Sequence, residues 1–331
     1  MRPRGPGRLL VVGPIAVCLA VAAGCTAATP GPASTTPATS TTSAPTPTTS
    51  AISTASTTST TTDTTHTTPA TSTTSHPVPD GVVLGNIVAD LIAGGPREAG
   101  TPAEHAALDL VTGALRDLGL VTEEEDVPLP NGRTSRNVWA TVGSGPRHVL
   151  LGAHIDSVRG SPGADDNASG VALLLHLAGE LAADPPSVRV TIVAFGAEEV
   201  LHGHARDIHH LGSRRMAARL AAEGTLPDLM VSVDMVGVGT RLLAVRYRDS
   251  DPTARDLLVA AGDAADVAIT ADSRGDISDH EAFARRGVPA AMLWRPDNPA
   301  YHGPDDVVVD VALLEDGLAL LRAFIALAMS T

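Results

Sequence analysis

The sequence predicts an α/β fold in three layers, with a mostly parallel central sheet covered by helices on both faces. Two observations predict it. Stretches such as 147–155 and 188–197 are apolar almost throughout, which is typical of strands buried on both faces of a parallel sheet. Segments with a helical apolar period alternate with these strands along the chain, and this alternation favours an α/β architecture.

The predicted elements follow one another from about Asp80 to Thr331. The first helix, 101–120, begins at a capping box formed by Thr101 and Glu104, with Pro102 at its first position. We find no internal repeat. The predicted strands are 137–143, 147–155, 188–197, 228–237, 241–248 and 289–295, and the other predicted helices are 169–183, 251–265 and 310–330.

Charge and composition exclude several kinds of chemistry. All 23 basic residues among the 331 are arginines, so a Schiff-base lysine, a P-loop lysine and a lysine general base are excluded. The formal net charge of −14 argues against a nucleic-acid partner.

Residues 1–24 have the pattern of an export signal. Three arginines precede the apolar stretch "LLVVGPIAVCLAVAAG", which ends in small residues directly before Cys25. This arrangement resembles the bacterial lipobox, in which the cysteine is lipidated. It implies an extracytoplasmic protein anchored to the cell membrane through Cys25; plain secretion and an uncleaved anchor are the alternatives.

Residues 25–79 are nearly all Thr, Ser, Pro and Ala, so we expect a disordered tether there and a folded domain over 80–331. The two cysteines, Cys18 and Cys25, both precede this domain. A metal ion in the domain must therefore be held by histidines and carboxylates.

Polar residues follow three of the predicted buried strands. His154 and Asp156 follow one strand, Glu198 and Glu199 the next, and Asp234 a third. Sites in open α/β sheets form at the carboxyl ends of strands, and a buried carboxylate is costly without a partner. A divalent cation is the economical shared partner.

Two further stretches complete the candidate set. Asp165 and Asp166 lie in the glycine-rich turn "PGADDNASG", and Tyr301 and His302 lie in a loop before the last helix. Imidazole and carboxylate groups suit zinc, and a two-zinc site needs a bridging carboxylate. Of two adjacent glutamates, one can bind metal while the other moves protons.

The stretches "GAHIDS", "PGADDNASG", "FGAEE", "VDMVG" and "AYHGPDD" together resemble the co-catalytic zinc aminopeptidases, metallopeptidase family 28. That family also includes glutamate carboxypeptidase II and the glutaminyl cyclases. The resemblance runs from about Asp80 to the end of the chain. It implies a zinc-exopeptidase-like fold, two Zn²⁺ per chain, and hydrolysis of the N-terminal residue of peptide substrates by an activated water.

The resemblance also implies roles for individual residues. It pairs His154 with Asp234 on one zinc and Glu199 with His302 on the other. It implies the following further roles: bridging ligand for Asp165, orientation of His154 for Asp156, general base for Glu198, and a hydroxyl for the oxyanion from Tyr301.

Two alternatives remain open: a glutaminyl-cyclase-like transferase with one zinc, and a non-catalytic surface-binding lipoprotein on the same scaffold. One departure from the family pattern is an insertion of several residues after Glu199, the histidine-rich stretch 201–211. We expect a solvated loop there, with a specificity loop or a third metal site as alternatives. Arg97 and Arg274 could contact a substrate carboxylate, but nothing in the local sequence favours this role.

Overall fold

An eight-stranded mixed sheet forms the centre of the computed structural model, which describes residues 80–205 and 208–330. The strands lie side by side in the order β1-β2-β4-β3-β5-β8-β6-β7. Their bounds are β1 Thr122–Pro128, β2 Thr134–Val142, β3 His148–His154, β4 Arg189–Phe195, β5 Leu229–Asp234, β6 Leu243–Tyr247, β7 Thr270–Arg274 and β8 Ala290–Trp294.

The four central strands, β4, β3, β5 and β8, are parallel, as the sequence predicts for buried apolar strands. β1 and β2 add to one side of this group as antiparallel strands, and β6 pairs antiparallel with β8 on the other side. In the parallel centre Gly152 lies opposite Val193 and Ser232, so the carboxyl ends of β4, β3 and β5 come level.

Helices cover both faces of the sheet, which confirms the three-layer prediction. α4 and α6 pack on one face, against β1, β2, β5, β6 and β8, and the other helices pack on the opposite face. Their bounds are α1 Asp80–Ile92, α2 Pro102–Asp117, α3 Gly170–Ala183, α4 Leu211–Glu223, α5 Thr253–Ala265, α6 His280–Ala284 and α7 Val311–Ser330.

The core follows from the two-residue period of the strands. In β3, Val149, Leu151 and Ala153 belong to the large apolar cluster beneath α1, α2, α3, α5 and α7. Leu150 points the other way and packs with Phe195 in the cluster beneath α4 and α6. The strand is therefore apolar at every position between its terminal histidines, because both of its faces are covered.

One of the two bonds of the capping box that the sequence predicts is present at the start of α2. Thr101 Oγ1 accepts a hydrogen bond from the backbone N–H of Glu104 at 3.4 Å. The Glu104 carboxylate reaches back one residue further than expected, to the N–H of Gly100 at 2.6 Å.

Among the helices of residues 80–205 and 208–330, none combines the length and the hydrophobicity of a transmembrane segment. The export signal, Cys25 and the tether predicted over 25–79 lie outside the described residues. They remain predictions from the sequence.

Candidate metal centre and active site

Three strand ends and one loop meet at the carboxyl edge of the sheet. β3 ends at His154, β5 ends at Asp234, and Glu198 and Glu199 follow β4 closely. Because these strands are parallel neighbours, their carboxyl ends lie side by side. The loop before α7 brings His302 to the same edge, with 3.2 Å between its Nε2 and Glu199 Oε1.

Asp166 lies between the two histidines of the site. Its Oδ1 is 3.2 Å from His154 Nε2, and its Oδ2 is 3.3 Å from His302 Nε2. His154 Nε2 also lies 3.4 Å from Asp234 Oδ1. Each histidine therefore shares Asp166 with the other and has one further carboxylate of its own.

Asp165, which we expected in the bridging position, has a different role in the structure. Its Oδ1 accepts the N–H of Gly237 at 2.7 Å, and its Oδ2 accepts the side-chain amide of Asn298 at 3.0 Å. The expectation that Asp165 lies between the two histidines is therefore corrected, because Asp166 occupies that position. Consecutive side chains of the turn point in different directions, so one aspartate anchors the turn and the next faces the histidines.

The turn that carries both aspartates depends on Gly163. This residue has φ 66°, a left-handed conformation that glycine adopts without strain. A Cβ at this position would lie 2.3 Å from the carbonyl oxygen of Asp166. The chain can therefore close over the Asp166 backbone only where no side chain is present.

Asp156 connects two of the segments that form the site. It is fully buried, and its two carboxylate oxygens accept the N–H groups of Glu198 and Glu199, each at 3.0 Å. His154 Nδ1 lies 3.1 Å from the carbonyl oxygen of Asp156 and 3.7 Å from its carboxylate. Asp156 thus orients the imidazole through its backbone and fixes the glutamate pair through its side chain.

Arg97, to which the sequence assigns no role, is a fully buried clamp on the ligand-bearing loop. Its guanidinium donates to the carbonyl oxygens of Ile155 at 2.7 Å, Pro162 at 2.5 Å and Gly163 at 3.0 Å. Burial lowers the pKa of Arg97 to about 10, which leaves the side chain charged at neutral pH. No motif around Arg97 signals this contact, because its partners are backbone carbonyls about 60 residues away.

Glu198 lies beside His210, which belongs to the histidine-rich insertion. Glu198 Oε1 is 2.9 Å from His210 Nε2, and both residues are buried. Burial raises the pKa of the Glu198 carboxyl, but the imidazoles of His210 and His154 together outweigh it and hold this pKa below its ordinary value.

The expectation of a solvated loop over 201–211 holds only for part of the insertion. His202 is exposed, whereas His210 is only 2% exposed. Since the ring of His210 faces the glutamate that we expect to act as base, the solvated interpretation is corrected at this position. Residues 206 and 207 lie outside the described part of the chain.

Tyr301 stacks on His302 at the mouth of the site. The two ring centroids are 3.7 Å apart with an interplanar angle of 24°, and Tyr301 is 54% exposed. Partial burial and the carboxylates of Asp166 and Glu199 raise the pKa of the phenol. The hydroxyl therefore stays protonated at neutral pH and can donate a hydrogen bond.

These groups line a cavity of about 970 Å³. Its polar floor contains the residues described above: His154, Asp166, Glu198, Glu199, Asp234 and His302. Its apolar wall is formed by Val158, Val200, Met235, Ile277, Met292, Trp294 and Pro296. Such a combination of convergent polar groups and an apolar wall is typical of a substrate pocket.

The donor groups at the floor of the cavity fit a divalent cation. His154, Asp166 and Glu199 each offer a ligand atom, and these atoms lie within 4.8 Å of one another. Glu199 Oε1 is buried and accepts no hydrogen bond of standard geometry from the described residues, although His302 Nε2 lies 3.2 Å away. Burying several carboxylates together is costly unless a cation joins them. Imidazole nitrogen and carboxylate oxygen are the ligands that zinc accepts.

A family model, described as Peptidase family M28, matches residues 137–315. The chain therefore belongs to peptidase family M28. One curated relative, Aminopeptidase YwaD from Bacillus subtilis (strain 168), is 29% identical over 178 residues, which cover 50% of this chain. The same alignment covers 37% of that relative, so the chain spans well under half of its length.

Solved structures show the same fold. A zinc aminopeptidase from Bacillus subtilis, BSAP, superposes with a TM-score of 0.67 at 18% identity, over 76% of this chain and 96% of that one. A glutaminyl cyclase from an Acidobacteriales bacterium superposes with a TM-score of 0.66 at 22% identity, over 80% of this chain and 99% of that one. The fold is therefore shared by hydrolases and transferases.

Proposed function

We propose that this chain is a zinc-dependent aminopeptidase that removes the N-terminal residue from peptides. One observation carries the proposal: two histidines from separate segments converge on the two oxygens of Asp166, while Glu198 faces the same cavity next to them. Membership of peptidase family M28 supports it.

The arrangement suits two zinc ions that share Asp166. His154 and Asp234 would complete the ligands of one ion, and Glu199 and His302 those of the other, so Glu198 would not be a metal ligand. Zinc bound there would act as a Lewis acid for the scissile carbonyl and for the attacking water. The protein supplies a fixed ligand set, since the Asp156 carboxylate holds the backbone of Glu198 and Arg97 holds the carbonyl oxygen of Ile155, next to His154.

The remaining side chains divide the proton transfers between them. Glu198 takes a proton from the attacking water and passes it to the departing amine. The Tyr301 hydroxyl donates a hydrogen bond to the oxygen that becomes negatively charged as the carbonyl is attacked. The apolar wall formed by residues such as Met292 and Trp294 accommodates a large apolar side chain on the N-terminal residue of the peptide.

The test is a matched pair of substitutions at the adjacent glutamates, assayed on a panel of aminoacyl substrates with and without chelator. Glu198→Gln should lower kcat by about 10³-fold or more with zinc content unchanged, because it removes only the proton acceptor. Glu199→Gln should lower zinc content and activity together. Turnover near the wild-type rate in Glu198→Gln contradicts the proposed role.

The same panel tests the transferase alternative, for which the glutaminyl cyclase fold is the supporting observation. N-terminal glutaminyl peptides are added to the assay, and zinc is counted by elemental analysis. Cyclisation of the glutaminyl peptide with one zinc per chain contradicts the aminopeptidase proposal. Hydrolysis of aminoacyl substrates with two zinc ions per chain supports it.

We also propose that the enzyme acts outside the cytoplasm on peptides, held to the membrane by a lipid on Cys25. Small residues directly before Cys25 and the Thr/Ser/Pro/Ala-rich segment after it support this location. Cys25→Ser should move the protein from the membrane fraction to the soluble fraction. Membrane association that survives this change contradicts the lipid anchor.

A further inference from the structure

His210 is tied to Glu198 twice. Its backbone N–H donates to the carbonyl oxygen of Glu198 at 2.6 Å, and its ring Nε2 lies 2.9 Å from Glu198 Oε1. The next backbone N–H, of Leu211, donates to the carbonyl oxygen of Ala197 at 2.7 Å. The end of the histidine-rich insertion is therefore joined directly to the segment that carries the proposed base.

Both ring nitrogens of His210 face carboxylates. Nε2 faces Glu198, and Nδ1 lies 3.2 Å from Glu281 Oε2. A carboxylate oxygen accepts and does not donate, so both contacts are satisfied only when both nitrogens carry protons. Burial lowers the pKa of His210, but the two carboxylates outweigh it and raise this pKa to about 10.

Glu281, the second carboxylate that faces the His210 ring, is itself held in place. Glu281, in α6, is buried and bonded to the guanidinium groups of Arg214 at 3.2 Å and of Arg285. Two arginines therefore balance the charge of Glu281 and hold it in place. The imidazole of His210 lies between a fixed carboxylate and the base.

The backbone of His210 is also held in an unusual conformation. It has φ 52° immediately before α4, a region that non-glycine residues seldom adopt, with asparagine and aspartate the most tolerant. Residues kept in such conformations cluster at functional sites, where the surrounding contacts fix them. Here those contacts include the two backbone bonds to Ala197 and Glu198.

We propose that His210 is a positioning residue for the reaction: its Nε2–H fixes the carboxylate of Glu198 in the orientation from which it accepts and returns a proton. This inference rests on the proposed function of Glu198. The orientation matters because a free glutamate has three side-chain torsions, and a displacement of about 1 Å at a reacting group can lower the rate by about 10²-fold.

A pair of substitutions at the same position separates the two ring contacts. Glutamine places its amide nitrogen near the position of Nε2, so His210→Gln keeps a donor for Glu198. Asparagine places its amide near Nδ1 and tolerates the left-handed backbone, so His210→Asn keeps the contact with Glu281 and loses the one with Glu198. His202→Asn, at an exposed position of the same insertion, is the control.

His210→Asn should lower kcat by about 10- to 100-fold, with KM and zinc content within about twofold of wild type. His210→Gln should recover most of that loss, and His202→Asn should match wild type. A wild-type kcat in His210→Asn overturns the proposal. So does a loss in His210→Asn that comes with loss of zinc or that His210→Gln does not reduce, because either result indicates a merely structural role.

A second measurement does not need turnover. The protein is labelled with ¹⁵N-histidine, and the His210 ring is assigned by the signal that disappears in His210→Gln. At pH 8 we expect both of its nitrogens to be protonated, and a ring without a proton on Nε2 overturns the proposal. If wild type hydrolyses no aminoacyl substrate while this ring is doubly protonated, the proposed function fails and the His210–Glu198 contact does not.

Discussion

β3 begins and ends with a buried histidine, and the two rings have opposite acid–base behaviour. At the amino end, His148 Nε2 lies 2.8 Å from the hydroxyl of Thr191, and burial lowers its pKa to about 4. At the carboxyl end, burial also opposes the charge of His154, but the carboxylates of Glu198 and Asp234 raise its pKa well above the ordinary value. Histidine is thus neutral at the amino end of β3, whereas at the carboxyl end the surrounding carboxylates favour its protonated form.

The difference shows which edge of the sheet is complete by itself. The contacts of His148 are a hydroxyl for its ring and the Asp228 carboxylate, 2.7 Å away, for its backbone N–H. Around His154, several carboxylates are crowded together, and a buried oxygen of Glu199 accepts no hydrogen bond of standard geometry from the described residues. The amino edge therefore has its polar groups satisfied within the protein, whereas the carboxyl edge needs a cation to balance its charge.

The largest effect on the carboxyl edge is expected when Asp165 and Asp166 are neutralised one at a time. Asp166→Asn should abolish the shared ligand, so we expect zinc content to fall by at least half and activity by about 10³-fold. Asp165→Asn should keep zinc, because Asp165 contacts the Gly237 N–H and Asn298 and neither histidine. Elemental analysis and steady-state kinetics on both variants make the measurement.

The reverse result would restore the assignment made from the sequence. If Asp165→Asn loses zinc while Asp166→Asn retains it, the bridging position belongs to Asp165. Equal losses in both variants would instead show that the turn unfolds as a unit, which denaturation of the zinc-free proteins can detect.

A smaller effect is expected from replacing Arg97, which holds the loop at the carboxyl edge of the sheet. Arg97→Met leaves the carbonyl oxygens of Ile155, Pro162 and Gly163 buried without their donor. An unsatisfied buried polar group costs about 1–3 kcal/mol, so we expect a loss of about 3 kcal/mol or more in the free energy of unfolding. Urea denaturation of the chelated protein measures this quantity without the contribution of bound metal.

Arg274→Met is the matched control for Arg97. Arg274 lies on the exposed strand β7 and pairs with Asp272 at 2.7 Å, and an exposed pair of this kind is worth about 0–1 kcal/mol. Similar losses in both variants would show that Arg97 is no more than an ordinary surface-type cation.

The central strands were predictable because burial on both faces leaves apolar runs in the sequence. Of the described elements, α1, α4, α6, β1 and β7 escaped prediction, and the two strands among them lack such a signal. β1 has the sequence "TEEEDVP" and β7 is mostly exposed, so neither shows an apolar pattern. α1 carries glycines at positions 81 and 85, which weaken its helical propensity. These elements form because the sheet and the neighbouring helices provide contacts for them.

The residues of the site likewise fall into those that the sequence predicts and those that it does not. Strand ends of parallel neighbours must meet, so the convergence of His154, Glu199 and Asp234 follows from topology. The choice between Asp165 and Asp166 depends on the backbone of a turn around Gly163, which residue types do not reveal. His210 could have been suspected only from its place in an insertion next to Glu198.

The smallest expected effect concerns the amino edge of β3 and the dependence of stability on pH. Above pH about 6.5, His148 is neutral in the folded and unfolded states, so its contribution is complete. As the pH falls towards 4, the unfolded chain takes up a proton that the folded state excludes, and stability declines. His148→Gln removes this proton but keeps a polar group for Thr191. Wild type should therefore lose about 1–2 kcal/mol more than the variant between pH 6.5 and 4.5.

Urea denaturation of the two chelated proteins at several pH values tests this expectation, because titration of the carboxyl edge is common to both and cancels in the difference. At pH 8 the two stabilities differ only by the altered contact with Thr191, which provides the reference. Parallel curves down to pH 4.5 would mean that the folded protein accepts a proton on His148. His148 would then be protonated in the folded protein, as we expect for His154, and the contrast between the two ends of β3 would fail.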